Sequence, residues 1–194
     1  MLGLKAVRNI TCQLLLCVAP TMGLADGTYN KARQTWSVAP FTSIIILGSR
    51  DARAGIYFSY QTQRPEKRFT VLGHRLDLGL EYGIAYSYGG GWDNRPHDQT
   101  VSYSILTLAK YENLGPSGKG IYYEVGFGLN YASKVTFDLD SNFNSTPTFG
   151  FGWVSGKQSG VRSIGLRYYH ISNAGTNRPN QGQNQLMILT SFAL

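Results

Sequence analysis

From His74 to Tyr88 the chain alternates without a break. Leu76, Leu78, Leu80, Tyr82, Ile84, Tyr86 and Tyr88 take the even positions, and Arg75, Asp77, Gly79, Glu81, Gly83, Ala85 and Ser87 the odd ones. A repeat of two places successive side chains on opposite faces of a β-strand. Here it holds for about fourteen residues, where strands of globular proteins usually run about 5–6. A tilted strand that crosses a bilayer needs roughly 9–11 residues.

The pattern recurs along the chain. Between Gly120 and Ala132, Ile121, Tyr123, Val125, Phe127, Leu129 and Tyr131 share one face, opposite Tyr122, Glu124, Gly126, Gly128 and Asn130. Phe149, Phe151 and Trp153 alternate with glycines; Ile56, Phe58 and Tyr60, then Val101, Tyr103 and Ile105, mark two further strands. Leu186, Ile188, Thr190, Phe192 and Leu194 mark the last. A first strand near Thr42–Gly48 and a seventh near Val161–Ser172 complete a count of eight. The links around Arg64–Gly73, Glu112–Lys119 and Ser155–Gly160 read as periplasmic turns, the first of them longer than usual. Gly89–Thr100, Ser133–Pro147 and Asn173–Gln183 read as extracellular loops, after a short first one around Arg50–Arg53. The pattern predicts an all-β fold, an eight-stranded antiparallel transmembrane β-barrel of the outer-membrane type. Its small residues face a lumen only just wide enough for side chains, and its aromatics gather near the strand ends. A soluble up-and-down barrel would turn its apolar face inward and its charges outward, and has no need of such long aromatic-ended strands.

Composition supports this reading. Of 194 residues, 23 are glycine and 13 tyrosine, and only 15% are charged, against about 25% in ordinary soluble domains. An apolar fraction of 42% excludes disorder. The scarcity of Glu, Lys and Ala argues against a helical bundle, and no apolar run is long enough for a spanning helix. At the N-terminus, Lys5 and Arg8 precede the apolar stretch Ile10–Ala19, and Gly23-Leu24-Ala25 offers small residues for cleavage. Residues 1–25 are therefore expected to be a signal peptide, leaving residues 26–194 as the barrel domain. Both cysteines, Cys12 and Cys17, would leave with it, and the formal charge would fall from +7 to +5. A chain exported without cysteines draws its stability from strand hydrogen bonds rather than disulfides.

One constellation carries chemistry. Arg167 lies in mid-strand, where an arginine on the lipid face costs about 2–4 kcal/mol, so it is expected to point inward with Ser163, Gly165 and Tyr169. Ile164, Leu166, Tyr168, His170 and Ser172 then face lipid, with Arg162 at the inner interface. An i, i+2 pair lies about 6.6 Å apart at Cα, so the His170 imidazole can reach the Ser172 hydroxyl. Pairing the apolar faces of the last two strands brings Asn184 to the same side. A nucleophile, a base and an orienting group meet at the outer rim, with Asn173 and nearby N–H groups placed to stabilise an oxyanion. A bare His-x-Ser also arises by chance in interfacial girdles.

The run His170-x-Ser172-Asn173-Ala174-Gly175, followed by Pro179-Asn180-x-Gly182, resembles the signature of the PagL family of lipid A 3-O-deacylases. The likeness extends more loosely from the Leu72–Gly90 strand to the C-terminus. In that family an eight-stranded barrel carries a Ser-His-Glu triad on its outer wall. The resemblance implies Ser172 as nucleophile, His170 as general base, and Asn173 and Gly175 near the oxyanion. The family's acidic residue, fourteen positions after the histidine, falls on Asn184. An asparagine orients imidazole through its carbonyl oxygen but adds no charge. If the loss of charge limits the enzyme, a glutamate there is expected to favour the imidazolium and raise activity; a rim side chain at 184 is expected to bury little area.

Elsewhere, Arg75, Asp77, Glu81 and Glu124 are expected to form a buried lumen network. His74 and His97 stand apart, and three histidines with no mature cysteine make a metal site improbable; no cofactor and no nucleic-acid partner is expected. The leading expectation is a serine esterase of the Gram-negative outer membrane, removing the 3-O-linked hydroxyacyl chain from lipid A in lipopolysaccharide. The alternative is a catalytically silent structural or adhesion barrel that has lost the triad acid. A lipid A palmitoyltransferase is less favoured, because no acyl-acceptor site can be located. The sequence leaves open whether the barrel pairs as a homodimer.

Overall fold

A computed structural model describes residues 33–46, 48–91, 98–156 and 160–194. The expected signal peptide and His97 lie outside these residues. The described residues form eight strands: β1 (Arg33–Ser43), β2 (Asp51–Val71), β3 (His74–Gly91), β4 (Asp98–Leu114), β5 (Lys119–Ala132), β6 (Phe143–Ser155), β7 (Val161–Ile171) and β8 (Gln183–Ala193). Each pairs antiparallel with the next, and β1 pairs with β8 to close the barrel. Closure leaves no unpaired edge, the condition for crossing hydrocarbon with strands. The transmembrane barrel of the outer-membrane type is thus the observed fold.

The faces follow the alternation. Tyr82, Ile84, Tyr86, Tyr103, Ile105, Tyr123, Val125, Phe127, Phe149, Phe151, Trp153, Ile164 and Ile188 lie on the outer wall. Inside, glycines make room for rings: a β-carbon on Gly83 would come within 2.0 Å of the Tyr57 hydroxyl, and one on Gly165 within 2.1 Å of that of Tyr122. Arg167 points inward and is 0% exposed. It makes a two-pronged ion pair with Glu81, at 2.6 and 3.0 Å, and its Nε donates to Glu124 at 2.7 Å. Tyr57 donates to the same Glu81 carboxylate at 2.8 Å. Fork-shaped guanidinium pairing satisfies charges that burial would otherwise penalise.

Three expectations are corrected. The first strand is Arg33–Ser43, beginning nine residues before the expected Thr42–Gly48. Ser37, Ala39 and Phe41 turn to the lumen while Trp36 and Pro40 face out; the run Ile44-Ile45-Ile46 is apolar but does not alternate, so it cannot serve a wall with two unlike faces. The link after β2 is a two-residue turn at Leu72 and Gly73, both at positive φ (50° and 80°), because β2 continues to Val71 through a register shift between Arg64 and Arg68. In the lumen network, Arg167 takes the cation's place: Arg75 is exposed near the start of β3, at the inner mouth. Arg162 sits at that inner rim as expected, 2.8 Å from Glu112, which Arg33 also meets at 3.0 Å.

The outer loops are fastened together above the lumen. Asp138, 0% exposed, accepts at one carboxylate oxygen from Ser49 Oγ and from the N–H groups of Arg50 and Asp51, at 2.7 to 2.8 Å. Its backbone carbonyl accepts from Gln181 N–H at 3.1 Å. Gln183 Nε2 joins Asp51 Oδ2 and Thr136 Oγ1, both at 2.8 Å. Residues 49–51 are thereby tied to the loop that carries Asp138, and Ile44 N–H bonds Asn184 O at the start of β8 at 2.8 Å.

Candidate active site

The antiparallel register of β7 and β8 sets His170 directly opposite Asn184, and Tyr168 opposite Leu186. Residues two apart on β7 share the lipid-facing side, so Tyr168, His170 and Ser172 form a row toward the outer rim. His170 Nδ1 lies 2.8 Å from Asn184 Oδ1. The amide nitrogen of Asn184 lies 2.9 Å from the carbonyl oxygen of Ile46. A backbone carbonyl only accepts, so Nδ2 must face it and Oδ1 must face the imidazole. His170 therefore carries its proton on Nδ1, and Nε2 is left with a free lone pair. That is the tautomer a general base needs.

Asn184 is 0% exposed, which corrects the expectation of a rim side chain burying little area. The segment at Ile46 and the rings of Tyr168 and His170 cover it. The two rings lie nearly parallel, centroids 6.4 Å apart and 15° between planes.

Ser172 follows on the same side at the end of β7. Its backbone exchanges two hydrogen bonds with Ser145, at 2.8 and 3.0 Å, and its Oγ lies 3.5 Å from Ser145 Oγ. No hydrogen bond joins Ser172 Oγ to His170 among the described residues. Catalytic hydrogen bonds of substrate-free hydrolases are commonly loose and tighten on binding.

Asn173 and Gly175 lie beside Ser172, but their donors are engaged within the loop. Asn173 N–H bonds Asn180 Oδ1 at 3.0 Å, Gly175 N–H bonds Asn173 Oδ1 at 2.9 Å, and Asn173 Nδ2 bonds Asn177 O at 3.0 Å. These bonds fold the 172–182 segment into a compact cap with Ala174 and Gly175 at positive φ. Glu81, Glu124 and Asp138 lie buried in the lumen or under the loops, away from His170. His74 packs edge-on to Tyr111, centroids 4.9 Å apart, away from the site.

Three contributors were given no role in the site by the sequence. Tyr168 donates a hydrogen bond to Asn184 Oδ1. Ile46, 138 residues away, supplies the carbonyl that sets the amide. Gly182, at φ 75°, leaves room for the imidazole: a β-carbon there would come within 2.5 Å of His170 Cε1. Only Gly182 carried a signal, as part of the motif that includes Asn180.

Residues 56–193 match the family model described as "PagL: Lipid A 3-O-deacylase (PagL)". A curated relative, lipid A deacylase PagL of Bordetella bronchiseptica, is 28% identical over 121 residues, covering 61% of this chain and 63% of the relative. The chain thus spans just under two thirds of that relative's length. A crystal structure of the outer membrane enzyme PagL aligns with a TM-score of 0.55 at 22% identity, covering 81% of this chain and 99% of that one; this is a likeness of fold. The matched span runs from within β2 to the end of β8 and includes the whole His170–Asn184 constellation, and by it the chain belongs to the PagL family.

Proposed function

We propose that the protein is an outer-membrane serine esterase that hydrolyses the 3-O-linked hydroxyacyl ester of lipid A. The observation that carries this reading is the Asn184–His170 contact on the lipid-facing wall, with Nε2 left unprotonated and Ser172 two residues further along the same face. An ester held in the outer leaflet reaches that face, whereas a water-soluble substrate does not.

In this reading Ser172 Oγ attacks the ester carbonyl carbon while His170 Nε2 takes the hydroxyl proton. The tetrahedral intermediate collapses, the bond between the acyl carbon and the 3-oxygen breaks, and that oxygen, still on the sugar, receives the proton. Water, deprotonated by His170, then attacks the acyl-serine. The 3-hydroxy fatty acid leaves and Ser172 regains its proton. Asn184 holds the imidazole and stays neutral throughout. Asn173 and Gly175 serve the oxyanion when the substrate's carbonyl oxygen takes over a donor now engaged within the loop.

The test is mass spectrometry of lipid A from outer membranes of cells expressing the wild type or Ser172→Ala. Loss of one 3-linked hydroxyacyl chain with the wild type alone is expected. An unchanged acylation pattern with correctly inserted wild-type protein overturns the activity. The silent-barrel reading rests on the missing acid. Labelling of Ser172 by a serine-directed phosphonate that disappears in His170→Ala overturns that reading.

A further inference from the structure

Asn184 stands where the family pattern has an acid, and its surroundings suit an amide. Both lone pairs of Oδ1 are used, by His170 Nδ1 at 2.8 Å and by the Tyr168 hydroxyl. Nδ2 is used by Ile46 O at 2.9 Å, a carbonyl that also accepts from Ser49 N–H at 3.1 Å. A carboxylate in the same place would set an anionic oxygen against the Ile46 carbonyl oxygen, two acceptors with no proton between them, in a fully buried position. Rotating the amide by half a turn meets the same clash and offers the imidazole a donor, favouring the Nε2–H tautomer that cannot act as base.

We propose that this site is built around a neutral orienting amide, and that Tyr168 is a positioning residue which, with the Ile46 carbonyl, holds Asn184 so that His170 keeps its base-competent tautomer. Tyr168 reaches Asn184 as a diagonal neighbour across the β7–β8 pair, within the range of a long aromatic side chain. Its ring is itself fixed by Phe149, centroids 5.6 Å apart. The Ile46 carbonyl sets the sense of the amide and the tyrosine hydroxyl sets its place. On this account a carboxylate at 184 does not raise activity.

This inference rests on the esterase reading for its kinetics but not for its spectroscopy. Imidazole ¹⁵N shifts of the detergent-solubilised, histidine-labelled barrel, with His170→Gln assigning the signal, are expected to show the Nδ1–H form in the wild type. Tyr168→Phe keeps the ring packing and removes only the hydroxyl. It is expected to give a mixture of tautomers and to lower kcat roughly 5- to 10-fold, the size of one hydrogen bond, with KM unchanged. Asn184→Asp, the isosteric carboxylate, is expected to turn over no faster than the wild type. The proposal is overturned if Tyr168→Phe leaves the tautomer population unchanged, or if Asn184→Asp exceeds the wild-type kcat. Should lipid A prove not to be hydrolysed while the tautomer shifts as stated, the esterase reading fails and the positioning role stands.

Discussion

Gly182 lies against the His170 ring so closely that one added carbon would stand 2.5 Å from Cε1 and 3.2 Å from Nε2. The glycine does two things at once. It takes a positive φ of 75°, which costs an L-residue roughly 1–2 kcal/mol, and it leaves open the space beside the imidazole.

Gly182→Ala is therefore expected to displace the imidazole rather than to unfold the barrel. A shift of about 1 Å in a reacting group costs on the order of 100-fold in rate. Ester turnover should fall by about that factor, while heat-modifiable gel mobility still reports a folded barrel. Unchanged turnover would mean that the ring is not held where the geometry puts it.

Asn184→Ala removes the acceptor of two hydrogen bonds and the donor of a third from a fully buried site. Leaving buried partners unsatisfied costs about 1–3 kcal/mol. Both readouts should move: kcat by roughly 10- to 100-fold, and the denaturant midpoint downward. Loss of activity with no change in midpoint would show that water fills the vacated space and satisfies Tyr168 and Ile46.

Arg167→Met tests the lumen. It leaves Glu81 and Glu124 buried without their cation, and breaking a buried pair from one side costs about 3–5 kcal/mol. Guanidinium unfolding in micelles should show that loss, whereas the triple change to Met at 167 with Gln at 81 and 124 should recover much of it. A single variant as stable as the wild type would refute the ion-pair account.

Asp138→Ala addresses the fastening of the outer loops. It frees Ser49 and the N–H groups of Arg50 and Asp51, and with them the segment that carries Ile46. Turnover is expected to drop several-fold while the strands keep their hydrogen-exchange protection. Asp138→Asn keeps an acceptor oxygen and should fall in between. If Asp138→Ala changes exchange in the strands and not in residues 44–50, the loop tie is not its role.

Much of this was determined by the sequence alone. Strand pairing and facing rest on a local repeat: Leu76 to Tyr88 and Ile121 to Tyr131 sort themselves between lipid and lumen because neighbouring side chains on a strand must point opposite ways. The same rule, with the cost of an arginine in hydrocarbon, turned Arg167 inward and so put His170 and Ser172 outward together; the spacing to Asn184 followed from pairing two apolar faces. Three things needed the folded chain. The first strand lay earlier than Ile44–Ile46, because hydrophobicity without alternation does not mark a two-faced wall. The amide of Asn184 was set by a carbonyl 138 residues away and by a tyrosine that in sequence is one more lipid-facing ring. The burial of Asn184 came from loops tied together through Asp138. Periodicity is written in adjacent residues, but which loops meet over the rim of a closed barrel depends on its curvature and register. Only the tertiary structure shows what surrounds position 184: a backbone carbonyl on one side and an imidazole on the other.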